Sequence, residues 1–371
     1  MPVEFIGMIA PQEYSEILPA AGPVVDPGFA IRFAQAHEDS GFDRVLIGYF
    51  SSAPDGFIVA SWVLQATERL GVLLAHRPGF VAPTVAARKL ATLDQFSGGR
   101  LALHVITGGS DEEQARDGDF LDKAARYRRT DEYLDIVRRT WTSEGPFDVD
   151  GEFYTVRGAF SSVRCVREPH LPIYFGGSSG EAIAVSARHA DVYALWGEPL
   201  DEAAAHIAAV KEAAARHGRS PGISLSTRPI LGATDGEAWD RAYRILDQVR
   251  EHPGPVVFGG LGGQQPQNVG SQRLLAAAAR GDVHDRCLFT PLAAATGARG
   301  NSTALVGSVE TVADALLDYH DIGVTTFLIR GYDPYDDAVA YGELVERVRA
   351  KVRSKEESPE RAAEPAGVAA G

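Results

Sequence analysis

The stretch IYFGGSSGEA sets Gly176, Gly177, Ser178 and Ser179 between an unbroken apolar run and a helical pattern starting near Gly180. Glycines let a backbone approach a ligand closely, hydroxyls donate, and a helix N-terminus offers free N–H groups, so the segment reads as a phosphate cradle. The same residues also make an ordinary turn with a serine cap. A third chemistry is nucleophilic, because Gly176-x-Ser178-x-Gly180 has the form of a hydrolase nucleophile elbow. That reading needs an acid and then a histidine downstream. Asp318 and His320 are available, but they stand two apart on a helix and therefore on different faces.

Other groups suited to chemistry are His104 in LALHVIT, His76, the Arg126-Tyr127 pair, Trp196-Gly197-Glu198, Arg228, Tyr332, and Arg299 among the small residues of ATGARGNSTALVG. A histidine in an apolar strand is either a satisfied interior group or a neutral acid–base. The arginine among flexible residues is either solvated or a lid anchor for an anion. The set holds no paired carboxylates and no Cys/His group with metal-ligand spacing. A bound organic cofactor is therefore expected to carry the chemistry.

These residues need elements to position them. The recurring unit is a helix, a glycine that stops it, and a short continuous apolar run, as in DSGFDRVLIGY and DIGVTTFLIRG. Runs without polar alternation are buried on both faces, the signature of parallel strands covered by helices. Eight such runs occur, at 3–9, 44–49, 72–76, 101–106, 173–175, 192–196, 223–231 and 325–329. Helices are expected at 83–97, 130–141, 202–217, 236–249 and 309–320. Another opens at Asp26-Pro27 and stops at Gly41. Eight βα units predict a (β/α)8 TIM barrel, and a Rossmann sheet lacks its G-x-G-x-x-G after the first strand.

One barrel is expected over 1–352, with insertions at about 144–170 and 253–300 and a disordered tail over 353–371. In the first insertion, runs at 147–149 and 153–156 flank Asp150-Gly151, a two-residue hairpin signal. The second is Gly- and Gln-rich and falls between the seventh and eighth strands, as a lid over the catalytic face would.

Composition narrows the function. Fifty acidic against 36 basic residues give a net charge of -14, which repels nucleic acid and anionic lipid. Two cysteines build no disulfide framework, and no apolar run nears the roughly 18 residues of a membrane span. A cytoplasmic protein binding neither nucleic acid nor membrane is the expectation.

Taken together, PGFVAPTVAARKLATLDQFSGGRLALHVITGG (78–109), GDFLDKAARYRRTDEYL (118–134), LPIYFGGSSGEA (171–182), DVYALWGEPL (191–200) and GNSTALVG (300–307) resemble the flavin-dependent alkanesulfonate monooxygenases of the bacterial luciferase-like superfamily, in the same order. The resemblance implies a (β/α)8 barrel that takes reduced FMN (FMNH2) from a separate NAD(P)H-dependent FMN reductase. With O2 a peroxyflavin would form and oxygenate a small organosulfur substrate, releasing sulfite and an aldehyde from a sulfonate. A homo-oligomer, dimer or tetramer, is implied as well. By position, Ala75, His104, Thr107 and Tyr127 look like ring- and ribityl-side contacts, and Gly177, Ser178 and Ser179 like phosphate contacts. Arg228, Arg299, Tyr332 and Trp196 look like the catalytic and substrate-side residues.

The chain departs from that pattern at its substrate end. APQEYSEI replaces an N-terminal histidine run, Ala53 stands near an expected cysteine, and Ser226-Thr227-Arg228 replaces an Arg-x-His pair. Two alternatives accompany this reading: a luciferase-like barrel using coenzyme F420 or FMN for another hydride transfer or monooxygenation, and a Ser178 hydrolase.

Overall fold

A computed structural model describes residues 3–251, 266, 268–298, 300 and 302–357. The chain runs β1 (Glu4–Ile9), α1 (Pro27–Asp39), β2 (Arg44–Ile47), α2 (Gly56–Ala66), β3 (Gly71–His76), α3 (Pro83–Phe96), β4 (Leu101–Val105), α4 (Asp111–Arg116) and α5 (Lys123–Thr142). Then come β5 (Phe147–Asp150), β6 (Thr155–Ala159), β7 (Ile173–Gly176), α6 (Gly180–His189), β8 (Val192–Trp196), α7 (Leu200–Ala215), β9 (Gly222–Leu231) and α8 (Asp235–Glu251). The last part is α9 (Val269–Arg280), β10 (Val283–His284), β11 (Leu288–Phe289), α10 (Pro291–Thr296), β12 (Ala304–Gly307), α11 (Val309–Asp321), β13 (Thr326–Ile329) and α12 (Pro334–Glu357).

Strands β1, β2, β3, β4, β7, β8, β9 and β13 pair in parallel in that order, and β13 returns to β1. The closed (β/α)8 barrel is thus the predicted one, with all eight apolar runs as its staves. The α1 signals act as expected: Asp26 accepts from the Phe29 N–H at 2.9 Å, and Gly41 takes φ +80° beyond the helix end. Outward-facing Phe5, Val45, Leu103, Phe175, Tyr193, Leu225 and Phe327 form the main core with the helices.

Inside the barrel, the bottom is plugged. Glu4 pairs with Arg44 at 2.7 Å and accepts the Tyr174 hydroxyl at 2.7 Å. Above this layer sit Ile6, Leu73 and Ala102 with Leu46, Val192 and Leu328.

Three expectations are corrected. Asp150 pairs with Thr155, so the β5–β6 loop has four residues rather than two; the Glu132 carboxylate accepts the Phe153 and Tyr154 N–H groups at 3.1 and 2.7 Å and fixes that longer turn. The second insertion, from Asn268 on, is ordered into α9, the β10–β11 pair and α10, and β12 extends the barrel sheet beside the upper half of β9. Residues 353–357, expected in the tail, continue α12. The rest of that tail and residues 252–265 lie outside the described residues.

His37 and His76 are buried in the helical layer, the first bonded to the Phe33 carbonyl at 2.8 Å, the second to the Tyr133 hydroxyl at 2.6 Å. Burial holds both imidazoles down at about 4. Below the ordinary value of 6.5 the unfolded chain takes up protons that the fold refuses until about 4. Their stability contribution is therefore full above pH 6.5 and is lost as pH falls toward 4. Moving from pH 7 to 5 is expected to cost about 2 kcal/mol per histidine. Urea unfolding at the two pH values checks this, and an unchanged free energy contradicts it.

Candidate active site

Alternation along the barrel strands decides what faces inward. On β8, Tyr193 and Leu195 point outward and are buried, whereas Val192, Ala194 and Trp196 point inward and keep solvent access. The same alternation leaves Met8, Leu46, Gly48, His104, Gly176, Ser226, Leu328 and Arg330 partly accessible, although they line a barrel interior. A side-chain carbon at Gly48 would lie 3.2 Å from the Phe50 ring, and one at Gly176 would lie 2.9 Å from the Ala194 carbonyl, so both positions need glycine for close packing. The inward residues at the C-terminal strand ends keep partial solvent access.

At one rim lies the turn from β7 into α6. Gly177 takes φ +131°, and a Cβ there would meet Ala182 at 2.8 Å and the Tyr127 hydroxyl at 3.4 Å. Ser179 caps α6 by accepting the Ala182 N–H at 3.3 Å, and it also bonds Tyr127. Tyr193 donates its hydroxyl to the Gly177 carbonyl. The turn therefore joins Tyr127, Gly177 and Ser179 in one place, with Ser178 between them and partly exposed. Exposed Glu181 follows, held acidic by its own N–H and by Ser179.

On the neighbouring staves, Ala75 of β3 and His104 of β4 are register partners, and β4 pairs directly with β7. Neither the His104 Nδ1 nor the Thr107 hydroxyl has a hydrogen-bond partner, and both atoms are buried. Burial lowers His104 to about 4, so its ring is neutral at pH 7. His76 points the other way, to Tyr133, and is structural. Arg126 is also structural, engaged with the Leu121 carbonyl at 2.6 Å and Asp111 at 2.7 Å.

The remaining candidates line the β8–β9–β13 side. The Trp196 ring packs beneath α9, where a carbon at Gly270 would lie 3.0 Å away. Neighbouring Glu198 anchors that helix through a two-pronged bond with Arg273, Nε to Oε1 at 2.7 Å. Arg228 is fully buried. It donates to Glu16 at 2.8 Å and to the Gly331 carbonyl at 2.9 Å, and its guanidinium lies 3.4 Å above the Tyr332 ring. The Tyr332 hydroxyl is buried without a partner, and burial raises it to about 12. Arg299 lies outside the described residues.

The sequence reading did not find Glu16. Burial pushes its carboxyl up, but Arg228 and Arg330 overcome this and hold it at about 2. The elbow reading gains no support from geometry: Asp318 pairs with Arg286 at 3.0 Å in the outer helical layer, and among the described residues no contact links it or His320 to Ser178. No group of His, Cys, Asp or Glu among the described residues is arranged to hold a metal ion.

Removing Arg228 leaves the partly buried Glu16 carboxylate with only Arg330 as countercharge. Arg228→Met is expected to lower the unfolding free energy by about 3 kcal/mol, measured by chemical denaturation. A loss below about 0.5 kcal/mol contradicts the pairing.

The barrel recurs in solved structures. The chain is similar to riboflavin lyase, solved with modified FMN and riboflavin, with a TM-score of 0.76, 18% identity, and coverage of 98% of this chain and 94% of that one. It is also similar to EDTA monooxygenase from Chelativorans sp. BNC1, with a TM-score of 0.73, 16% identity and coverage of 98% and 96%. An F420-dependent secondary alcohol dehydrogenase matches with a TM-score of 0.68, 18% identity and coverage of 94% and 99%. At such identities the likeness establishes the fold. The family model for luciferase-like monooxygenases matches residues 5–326, most of the chain, and the protein belongs to that family.

Proposed function

We propose that this protein is a two-component monooxygenase that takes reduced FMN from an NAD(P)H-dependent reductase and uses O2 to oxygenate a small organosulfur compound, of sulfonate or sulfone type. The observation that carries the cofactor assignment is the pair of unpartnered polar groups at the end of β4, beside a glycine–serine turn at the rim of the partly solvent-accessible upper barrel.

The residues present fit a flavin. The inward residues at the strand ends keep partial solvent access, and the unpartnered His104 Nδ1 and Thr107 hydroxyl are polar atoms that a ligand would satisfy. Gly177 and the α6 N-terminus, with Ser178 and Ser179, suit a phosphate, and Tyr127 would lie along the chain between ring and phosphate. When bound, the reduced flavin supplies the electrons that activate O2.

The side chains bind, orient and exclude water. His104, neutral at working pH, orients the ring by a hydrogen bond without adding charge. Trp196 and α9, held by Glu198–Arg273, wall off the β8 side, and dry surroundings protect a reactive oxygen species from water. Tyr332 stays protonated to about pH 12 and so remains a hydrogen-bond donor for a substrate oxygen. A second reading, the same seat holding F420 for hydride transfer, draws on the similarity to an F420-dependent dehydrogenase.

The test is oxygen uptake and sulfite release with enzymatically supplied reduced FMN and a panel of sulfonates and sulfones. Flavin-dependent uptake coupled to product is expected; activity only with reduced F420 would replace this reading with the second. Gly177→Val is expected to weaken FMN binding about tenfold or more by colliding with Ala182 and Tyr127. Gly145→Ala, where a Cβ meets nothing within 4 Å, is expected to leave it unchanged. Equal affinities for the two variants would remove the phosphate role from this turn.

A further inference from the structure

Two cations at the mouth converge on one carboxylate supplied by the chain itself. Arg228, on the upper half of β9, gives Nη1 to Glu16 Oε1 at 2.8 Å and Nη2 to the Gly331 carbonyl at 2.9 Å, with one face covered by Tyr332. Arg330, just beyond β13, sets Nη2 against both oxygens of Glu16 at 3.2 and 3.2 Å, and its Nη1 reaches the Met8 sulfur at 3.7 Å. A carboxylate held by two guanidiniums is the arrangement in which a protein grips a substrate oxyanion. Here the oxyanion belongs to the loop between β1 and α1.

That loop is fixed. The buried Ser15 hydroxyl accepts the Ile17 and Leu18 N–H groups at 3.2 and 3.1 Å, and Glu13 accepts the Tyr335 N–H at 3.2 Å. Glu16 is therefore delivered to the arginines by a turn of defined shape. A substrate oxyanion reaching Arg228 would have to displace a partly buried carboxylate from its countercharges.

We infer that Glu16 is the specificity-determining residue of the mouth, a built-in oxyanion that occupies the Arg228–Arg330 pair and selects substrates uncharged at that end. The inference rests on the monooxygenase reading and deepens it toward sulfones, sulfoxides or sulfides and away from sulfonates. A second observation points the same way. The Tyr332 hydroxyl, buried and without a partner beside this cluster, is a neutral donor, suited to the oxygen of a sulfone or a carbonyl. Such a bond requires no countercharge in the site.

The test compares native protein, Glu16→Gln and Glu16→Asp on methanesulfonate and dimethyl sulfone with supplied reduced FMN. The native protein is expected to favour the sulfone in kcat/KM by about tenfold or more, and Glu16→Gln to shift the ratio toward the sulfonate by a similar factor. Glu16→Asp, which keeps the charge, is expected to retain the native preference. A native preference for methanesulfonate, or an unchanged ratio in Glu16→Gln, overturns the inference. Methanesulfonate titration of the flavin-free proteins, followed by thermal unfolding, reads the same claim without turnover. It is expected to stabilise Glu16→Gln and leave the native protein unmoved, and the reverse pattern overturns it. Should reduced FMN support no reaction at all, the monooxygenase reading fails while this titration still decides the role of Glu16. Should neither variant fold, native methanesulfonate binding alone overturns the inference and its absence supports it.

Discussion

Everything in this structure depends on filling the inside of a closed barrel of eight parallel strands. Interiors pack densely, so inward positions left small leave a real space rather than a loose core. The lower half is filled by Glu4, Arg44 and Tyr174 beneath Ile6, Leu73 and Ala102. In the upper half the inward positions mix small residues, Gly48, Ala75, Gly176, Ala194 and Ser226, with Met8, His104, Trp196 and Arg330, and most of them keep partial solvent access. The fold is stabilised by the outward faces against the helices, so the partly accessible top costs the barrel little.

The second constraint is charge. Burying an ion is expensive unless partners satisfy it, and removing one partner is worse than never having had the pair. Arg228, Arg330 and Glu16 meet that condition among themselves at the substrate end. His104 and Thr107 leave atoms unsatisfied at the opposite wall. One side of the mouth pairs its charges internally and keeps the neutral Tyr332 hydroxyl without a partner, and the other presents the unpartnered His104 Nδ1 and Thr107 hydroxyl. That division is the physical basis for giving the cofactor one wall and substrate selection the other.

Much of the barrel was legible because its signals are local. A glycine before a run such as RVLI or FLIR is readable within a dozen residues and marks β2, β3, β4 and β13, and the other staves show as unbroken apolar runs. The helix Gly56–Ala66 escaped because GFIVASWVLQA is apolar on nearly every side and shows no helical period. The short β12 was missed because its partner, the far half of β9, lies more than 70 residues away. In the site, the Gly-Gly-Ser-Ser turn was legible as a motif, and His104 and Thr107 followed from their places at a strand end. Glu16 was not. It belongs to an irregular loop without a motif, and its meaning comes from Arg228, 212 residues on, and Arg330, 314 residues on. Pairings of that range are made by the fold, and no spacing announces them.

The central claim is that the upper barrel seats a reduced flavin. Its most direct measurement is anaerobic calorimetry of reduced FMN with the native protein and with Ala75→Leu, a change that puts three further carbons on the inward face of β3 beside His104. The account predicts saturable binding to the native protein, weakened about tenfold or more in Ala75→Leu, with an unchanged unfolding midpoint. No heat with the native protein, or equal affinity for both, would contradict it.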